Sequence, residues 1–190
     1  MFRRFALYAL AFIILCCSGA AASPSDPFWH LKMERLDGSI HTLAEYEGRP
    51  LLVNMWASWC GPCREEIPSI QRIWREHAGS GLVIVGVDQG EERAEVREFA
   101  QAAGITYPVL LDSGSQYAQA VGGGLPTTVV IGRDGKTVNI VTGSLDYDEL
   151  EQLVDQVLTP SSPKGKHNEP ADPSIDYSVP PERGPVASLR

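Results

Sequence analysis

The sequence predicts an α/β sandwich, a mixed central β-sheet flanked by helices, with a β-hairpin at its N-terminal side. Three observations predict it. Two short, nearly continuous apolar runs, Leu51–Trp56 and Leu82–Val87, suit strands buried on both faces of a parallel sheet. Segments with helical spacing follow each of them. Two further strand-like segments then flank Gly132-Arg133-Asp134-Gly135, which reads as an antiparallel hairpin. Strands alternating with helices, then a hairpin and a last helix, give a mixed sheet.

Each element has its own signal. Phe28 to Leu43 reads as a hairpin with Asp37-Gly38 at the turn. Leu51–Trp56 is the first core strand. Glu65 to His77 is helical, because Ile67, Ile70 and Trp74 recur at helical spacing. Pro68 falls inside that pattern and is expected to kink it. Leu82–Val87 is the second core strand. A second helix spans about Glu91 to Ala103, with Val96, Phe99, Ala100 and Ala103 on one face and Gly104 as its stop. Val109-Leu110-Leu111 is a short strand. Thr127–Ile131 and Thr137–Thr142 are the arms of the late hairpin. The last helix covers Tyr147 to Leu158, with Leu150, Leu153, Val154, Val157 and Leu158 facing inward.

The chain's 190 residues fit one domain with extensions at both ends, and 43% hydrophobic residues suffice for one core. Arg3 and Arg4 precede an apolar stretch from Phe5 to Leu15, closed by Ser18-Gly19-Ala20-Ala21-Ala22. This is the layout of a secretory signal, and cleavage after Ala22 would leave Ser23 first. Two other readings stay open. The apolar run through Ala22 is 18 residues, just long enough to remain as a membrane anchor. Cys16-Cys17 also stands where a bacterial lipoprotein carries its lipidated cysteine, although Leu15 fits such a box poorly. All three readings put the chain in a periplasmic or extracytoplasmic compartment. Without residues 1–22, 14 basic residues face 24 acidic ones, a net charge of −10. That balance argues against a nucleic-acid partner, which would want a basic stripe. Residues 160–190 hold 7 of the 14 prolines and show no helical or strand period. Such a segment buries too little apolar area to offset its ordering entropy, so a disordered tail is expected. The division is therefore residues 1–22 as signal or anchor, 23–159 as the folded domain and 160–190 as tail.

The chemistry is concentrated in Trp59-Cys60-Gly61-Pro62-Cys63, directly after a strand and at the opening of a helix. Residues three apart on a helix are neighbours, so a disulfide between Cys60 and Cys63 can open and close with little movement. Pro62 is tolerated in the first turn, where its missing N–H costs nothing. The helix N-terminus favours a thiolate at Cys60, the cysteine nearer the end. Cys60 is then the attacking thiol and Cys63 the one that resolves a mixed disulfide. A zinc site needs about four ligands. The other two cysteines lie in the leader, and His30, His41, His77 and His167 show no metal spacing. No metal and no cofactor are expected.

The segment Val53-Asn54-Met55-Trp56-Ala57-Ser58-Trp59-Cys60-Gly61-Pro62-Cys63-Arg64-Glu65-Glu66-Ile67-Pro68 resembles thioredoxin-like proteins of the TlpA/ResA type. These are bacterial, exported, often membrane-tethered thiol–disulfide oxidoreductases. Leu36-Asp37-Gly38 with Leu43 and Gly48 resembles their N-terminal hairpin. Gly124-Leu125-Pro126-Thr127-Thr128 with Asp134-Gly135 resembles their cis-proline loop and the hairpin after it. The resemblance covers roughly residues 28–158 and implies a thioredoxin-like sandwich. It implies a cis bond at Pro126, a loop facing the cysteines, and a substrate groove of Trp59, Gly61, Pro62, Leu125 and Pro126. Trp56 is expected in the core. The sequence departs from related patterns in two places. Asn54 stands where thioredoxin itself has a buried Asp. Gly122-Gly123-Gly124 is richer in glycine than the family pattern and is expected to loosen its loop.

The function expected is a protein-disulfide oxidoreductase that reduces disulfides through a Cys60–Cys63 cycle and serves cell redox homeostasis. Its partners would be protein thiols and disulfides and a membrane electron donor, and the chain would be a monomer, tethered if the leader is retained. Asn54 cannot act as a base, so Cys63 needs another proton acceptor. Glu66 lies one turn beyond Cys63 on the same helix face, and the resemblance also places a functional Glu there. Glu66 is therefore expected to be partly buried, with its pKa raised by desolvation, while Glu65 is a surface group. Two alternatives come from other classes. A thiol peroxidase of peroxiredoxin type would hold its cysteine with groups such as Ser58 and Arg64. A tethered binding module would carry the redox pair as an incidental feature.

Overall fold

A computed structural model describes residues 26–159 of the chain. The expected signal or anchor, with Cys16 and Cys17, and the expected tail lie outside the described residues. The strands are β1 (Met33–Arg35), β2 (Ile40–His41), β3 (Leu51–Trp56), β4 (Val83–Asp88), β5 (Val109–Leu111), β6 (Thr127–Ile131) and β7 (Thr137–Thr142). They form one sheet in the order β2-β1-β5-β4-β3-β6-β7. β3 and β4 run parallel, as do β4 and β5, while β6 pairs antiparallel with β3 and β7. The sheet is mixed, as the sequence predicts. The helices are α1 (Gly61–Glu76), α2 (Arg93–Ala102), α3 (Gln116–Val121) and α4 (Tyr147–Leu158).

Side-chain alternation along the central strands divides the core in two. Leu52 and Trp56 face Ile67, Ile70 and Ile73 of α1 and Leu150, Leu153 and Val154 of α4. Leu51, Val53 and Met55 face the other way, onto Phe28, Trp29, Leu43 and Tyr117. Every residue of β3 and β4 is buried, so their apolar runs show no alternation. α2 ends in paired closing bonds, Ile105 N–H to Ala100 O and Gly104 N–H to Gln101 O. That closure needs a left-handed residue, and Gly104 supplies it at φ 67°. α4 opens on a reciprocal cap, with Glu149 N–H donating to Asp146 Oδ1 and Asp146 N–H to Glu149 Oε2, both at 2.9 Å.

Three expectations need correction. Phe28–His30 is not strand: Pro27 starts a short 3-10 turn over Pro27–His30, and Phe28 and Trp29 are buried. The hairpin is therefore only β1 and β2, turning at Asp37-Gly38, and Leu43 lies in a second 3-10 turn, Leu43–Tyr46. Ala103 is the exposed cap of α2, not part of its buried face. α1 begins at Gly61, four residues before the Glu65 start that the apolar spacing predicts, in line with the cysteines opening a helix, and continues through Pro68 to Glu76.

Candidate active site

Cys60 caps α1 with extended backbone, and Cys63 N–H donates to its Sγ at 3.3 Å. The two Cα atoms are 5.3 Å apart and a disulfide joins the side chains, inside the usual span of about 4.4–6.8 Å. Cys60 is 6% exposed and Cys63 only 1%, so an approaching sulfur meets Cys60 first. Trp59 is 69% exposed, and Gly61 and Pro62 are exposed beside it. They rim an otherwise covered disulfide. Trp56 is fully buried beneath, tilted against Phe99 at 5.3 Å between ring centroids.

β3 ends at Trp56, and Met55 pairs with Thr127 at the start of β6. The Leu125–Pro126 loop and the cysteine loop therefore leave the same end of the sheet. The Leu125–Pro126 bond is cis. Pro126 is buried and Leu125 half-buried, packed on both core clusters. Of the three preceding glycines, Gly123 is closely packed, while Gly122 and Gly124 have open space where a Cβ would lie. Gly123 has φ 88°, and a Cβ there would lie 2.7 Å from Thr142 Oγ1 and 2.8 Å from Thr127 Oγ1. Thr127 Oγ1 in turn donates to Gly124 O at 2.7 Å. Glycine lets the loop press against the two threonines.

Glu66 goes further than the partial burial expected of it: it is 1% exposed. Asn54 Nδ2 donates to its Oε1 at 2.5 Å and Leu145 N–H to its Oε2 at 2.7 Å. Asn54 Nδ2 also reaches Thr128 Oγ1 at 3.0 Å. Desolvation pushes the Glu66 carboxyl up to about 7, against the downward pull of its Leu145 and Asn54 donors. Glu65, Arg64 and Arg72 are exposed, and Arg72 pairs with Glu76 at 2.9 Å. Burial thus leaves Glu66 able to hold or release a proton near neutrality, on the helix face it shares with Cys63.

Ser58 and Arg64 do not converge on Cys60. Ser58 N–H donates to Glu91 Oε2 at 2.6 Å and its hydroxyl to Glu91 Oε1. The peroxidase reading therefore finds no pocket built from these two residues. His41 bonds Ser39 and Glu45, and His77 bonds Glu151. His30 is exposed, and His167 lies outside the described residues. Sequence reasoning missed the role of Glu91 and of Asp88 beside it. A signal was present: Asp88 closes an apolar strand at the end of a parallel sheet where ligand and catalytic groups gather. It also missed Leu145 N–H, which no local pattern marks.

Comparison with known proteins bears on this geometry. Residues 24–140 match the model of the AhpC/TSA family. The chain is 33% identical over 123 residues to the thiol-disulfide oxidoreductase ResA of Geobacillus thermodenitrificans, covering 64% of this chain and 71% of that protein. It is 33% identical over 126 residues to ResA of Bacillus subtilis, covering 66% and 70%. Among solved structures, the thiol:disulfide interchange protein of the thioredoxin family from Chlorobium tepidum superposes with a TM-score of 0.61 at 27% identity, covering 67% of this chain and 92% of that one. With a Cys-x-x-Cys disulfide at the head of α1 in a thioredoxin fold, the chain belongs to the AhpC/TSA family and is a ResA-like thiol–disulfide oxidoreductase.

Proposed function

We propose that the protein works outside the cytoplasm and reduces protein disulfides, with electrons delivered by a membrane donor. The Cys60–Cys63 pair at the head of α1, with the buried Glu66 carboxyl one turn behind it, carries this reading. The Cys60 thiolate attacks one sulfur of a substrate disulfide, forming a mixed disulfide and releasing the other sulfur as thiolate. Cys63 passes its proton to the Glu66 carboxylate and attacks Cys60 Sγ. The substrate leaves with its second sulfur reduced, and the protein is left oxidised. Two electrons have moved from the dithiol to the substrate. The Glu66 proton can then go to a departing thiolate. Trp59, Gly61 and Pro62 on one side, and Leu125 and Pro126 on the other, form the groove for the substrate chain.

The Gly61-Pro62 dipeptide is that of reducing thioredoxin and supports the direction. Residues 1–22 support export, with cleavage, retention as an anchor or lipidation all compatible with the sequence. An exported dithiol meets an oxidising compartment, so continued turnover needs a donor in the membrane. The domain assigned to residues 23–159 acts as a monomer in cell redox homeostasis.

Trapping tests the order of events. Cys63→Ser should hold Cys60 in stable adducts with substrate proteins, which mass spectrometry identifies. Cys60→Ser should trap nothing and abolish insulin reduction with dithiothreitol. Adducts through Cys63 in the Cys60→Ser protein would reverse the assigned roles. A reduction potential near about −120 mV, the oxidant end of the range, would overturn the reducing direction.

A further inference from the structure

A second pair of acidic side chains lies beside the cysteine loop. Asp88 ends β4 and is fully buried. Its Oδ1 accepts Glu91 N–H at 3.2 Å, and its Oδ2 is buried with no donor. The Glu91 N–H bond ties the two acidic residues together and leaves the buried Asp88 Oδ2 facing no donor. Glu91 in turn takes both protons that Ser58 can offer, from its N–H at 2.6 Å and from its hydroxyl. Ser58 is not an arbitrary partner. It lies inside the turn closed by Cys60 N–H on Ala57 O at 3.1 Å, and that turn presents Trp59 and the attacking sulfur. The same acidic segment grips the loop at a second point, where Gln89 N–H donates to Trp56 O at 2.9 Å.

A buried carboxylate oxygen with no donor, on a residue tied to a second acid, needs a cation or a proton. Among the described residues neither Asp88 nor Glu91 belongs to an ion pair. From β3 the neighbour is the indole of Trp56, which is neutral. From the end of β5 it is Asp112, whose carboxylate is tied to Gln116 N–H and Ala118 N–H. At the start of α2 the nearest cation in sequence is Arg93, committed to Glu34. From the cysteine loop the neighbour is the neutral Ser58. A proton is what remains, and Asp88 Oδ2 is the atom without another use.

We propose that Asp88 and Glu91 share one proton and, through Glu91's grip on Ser58, act as positioning residues that hold Cys60 at the head of α1. With the proton in place, Asp88 donates to Glu91, and Glu91 keeps a carboxylate for Ser58. Without it, two negative charges face each other and the more exposed Glu91 swings away, freeing Ser58. Burial and the Glu91 charge raise the Asp88 carboxyl to about 8 and the pair holds Glu91 low, which places the proton on Asp88. This device rests on the redox reading only for its purpose. Its existence is independent of activity.

The test uses the oxidised full chain, in which the thiols cannot titrate. The Ser58 amide resonance of 15N-labelled protein is followed from pH 5 to 10. The wild type should show an inflection near 8. Asp88→Asn, whose amide donates to Glu91 at every pH, should keep the low-pH shift throughout and lose the inflection. Glu91→Gln should show the released shift at all pH values. In the reduced form, Glu91→Gln should alkylate at Cys60 about two- to fivefold more slowly at neutral pH, the size of one helix-end charge interaction. A wild-type resonance that stays flat through pH 7–9, or an inflection that persists in Asp88→Asn, would overturn the shared proton. An unchanged alkylation rate in Glu91→Gln would overturn the positioning role. Neither result touches the trapping experiment, so the two readings fail separately.

Discussion

A carboxyl with 1% of its surface exposed and no ion pair among the described residues must find donors or carry a proton, and Glu66 does both in part. Its two donors, Asn54 and Leu145 N–H, hold the ionised form in place, while burial pushes the carboxyl up to about 7. Near neutrality the group is therefore divided between its two forms, the condition in which a proton acceptor is also a usable donor. Its negative charge also opposes the helix end that favours thiolate at the cysteines. Glu66→Gln removes the charge and the basicity together. The fold should survive, because Asn54 can rotate to offer its unpartnered Oδ1 to the new amide. Two effects should separate. The pH profile of iodoacetamide labelling should move about one unit lower, since a like charge has gone. Release of the mixed disulfide should slow by about 100-fold, since Cys63 has lost its base. If both measurements match the wild type, Glu66 has no part in proton transfer.

At the scale of elements, the site depends on how closely β4 lets the Trp56 indole approach. Gly86 pairs with Asn54 in the parallel β3–β4 register. A Cβ on Gly86 would lie 2.7 Å from Trp56 Nε1 and 3.1 Å from Tyr107 Cε2. Both rings are fully or nearly buried, so neither can step aside freely. Gly86→Ala should cost about 1–3 kcal/mol through overpacking, read as a lower urea midpoint of the oxidised protein with an unchanged slope. A wild-type midpoint would show that the ring has room. Gly86 carried no signal in the sequence, because a glycine inside an apolar strand reads only as a weak strand position. The limits of β3, β6, β7 and α4 were legible locally: β3 as a continuous apolar run, β6 and β7 as the arms around Gly132-Arg133-Asp134-Gly135, and α4 from the helical spacing of Leu150, Leu153, Val154 and Val157. α3 was not legible. Its helical state is set by Asp112 accepting Gln116 and Ala118 N–H and by burial of Tyr117 against Phe28, a long-range contact that no local pattern marks. The site divides in the same way. Cys60, Cys63 and Glu66 share one helix face and could be read by spacing. Leu145 N–H and Glu91 reach the site through loops 79 and 33 residues from their partners, and only the sheet order brings them there.

At the scale of the whole molecule, the two buried acids should control how stability varies with pH. Glu66 rises from 4.5 to about 7 and Asp88 from 3.8 to about 8 on folding. Both are raised acids, so the folded protein binds more protons than the unfolded chain between the unfolded and folded values. The stability of unfolding then falls as pH rises through that window. Below about pH 3 both states are protonated and these groups contribute nothing to the slope. The Glu66 share of the loss is complete above about pH 8, on the order of 3 kcal/mol at most, and the Asp88 share about one unit higher. The acids lowered on folding act in the opposite direction and at lower pH. Asp37, Glu45, Glu76 and Asp134 are held down by hydrogen bonds from their neighbours, and their stabilisation is lost as pH falls through the folded values. They are exposed, where such bonds are worth little, and Glu91, lowered against its desolvation by its neighbours Asp88 and Ser58, offsets part of the Asp88 decline. The balance puts the maximum near pH 5 instead of at neutrality. Urea midpoints of the oxidised protein should therefore fall steadily from pH 5 to pH 8.5. Glu66→Gln and Asp88→Asn should each flatten part of that decline, and each should gain more over the wild type at pH 8.5 than at pH 5. Midpoints that hold level or rise over this range would mean that the two carboxyls are not protonated in the folded protein, and the proton chemistry assigned to both would have to be withdrawn.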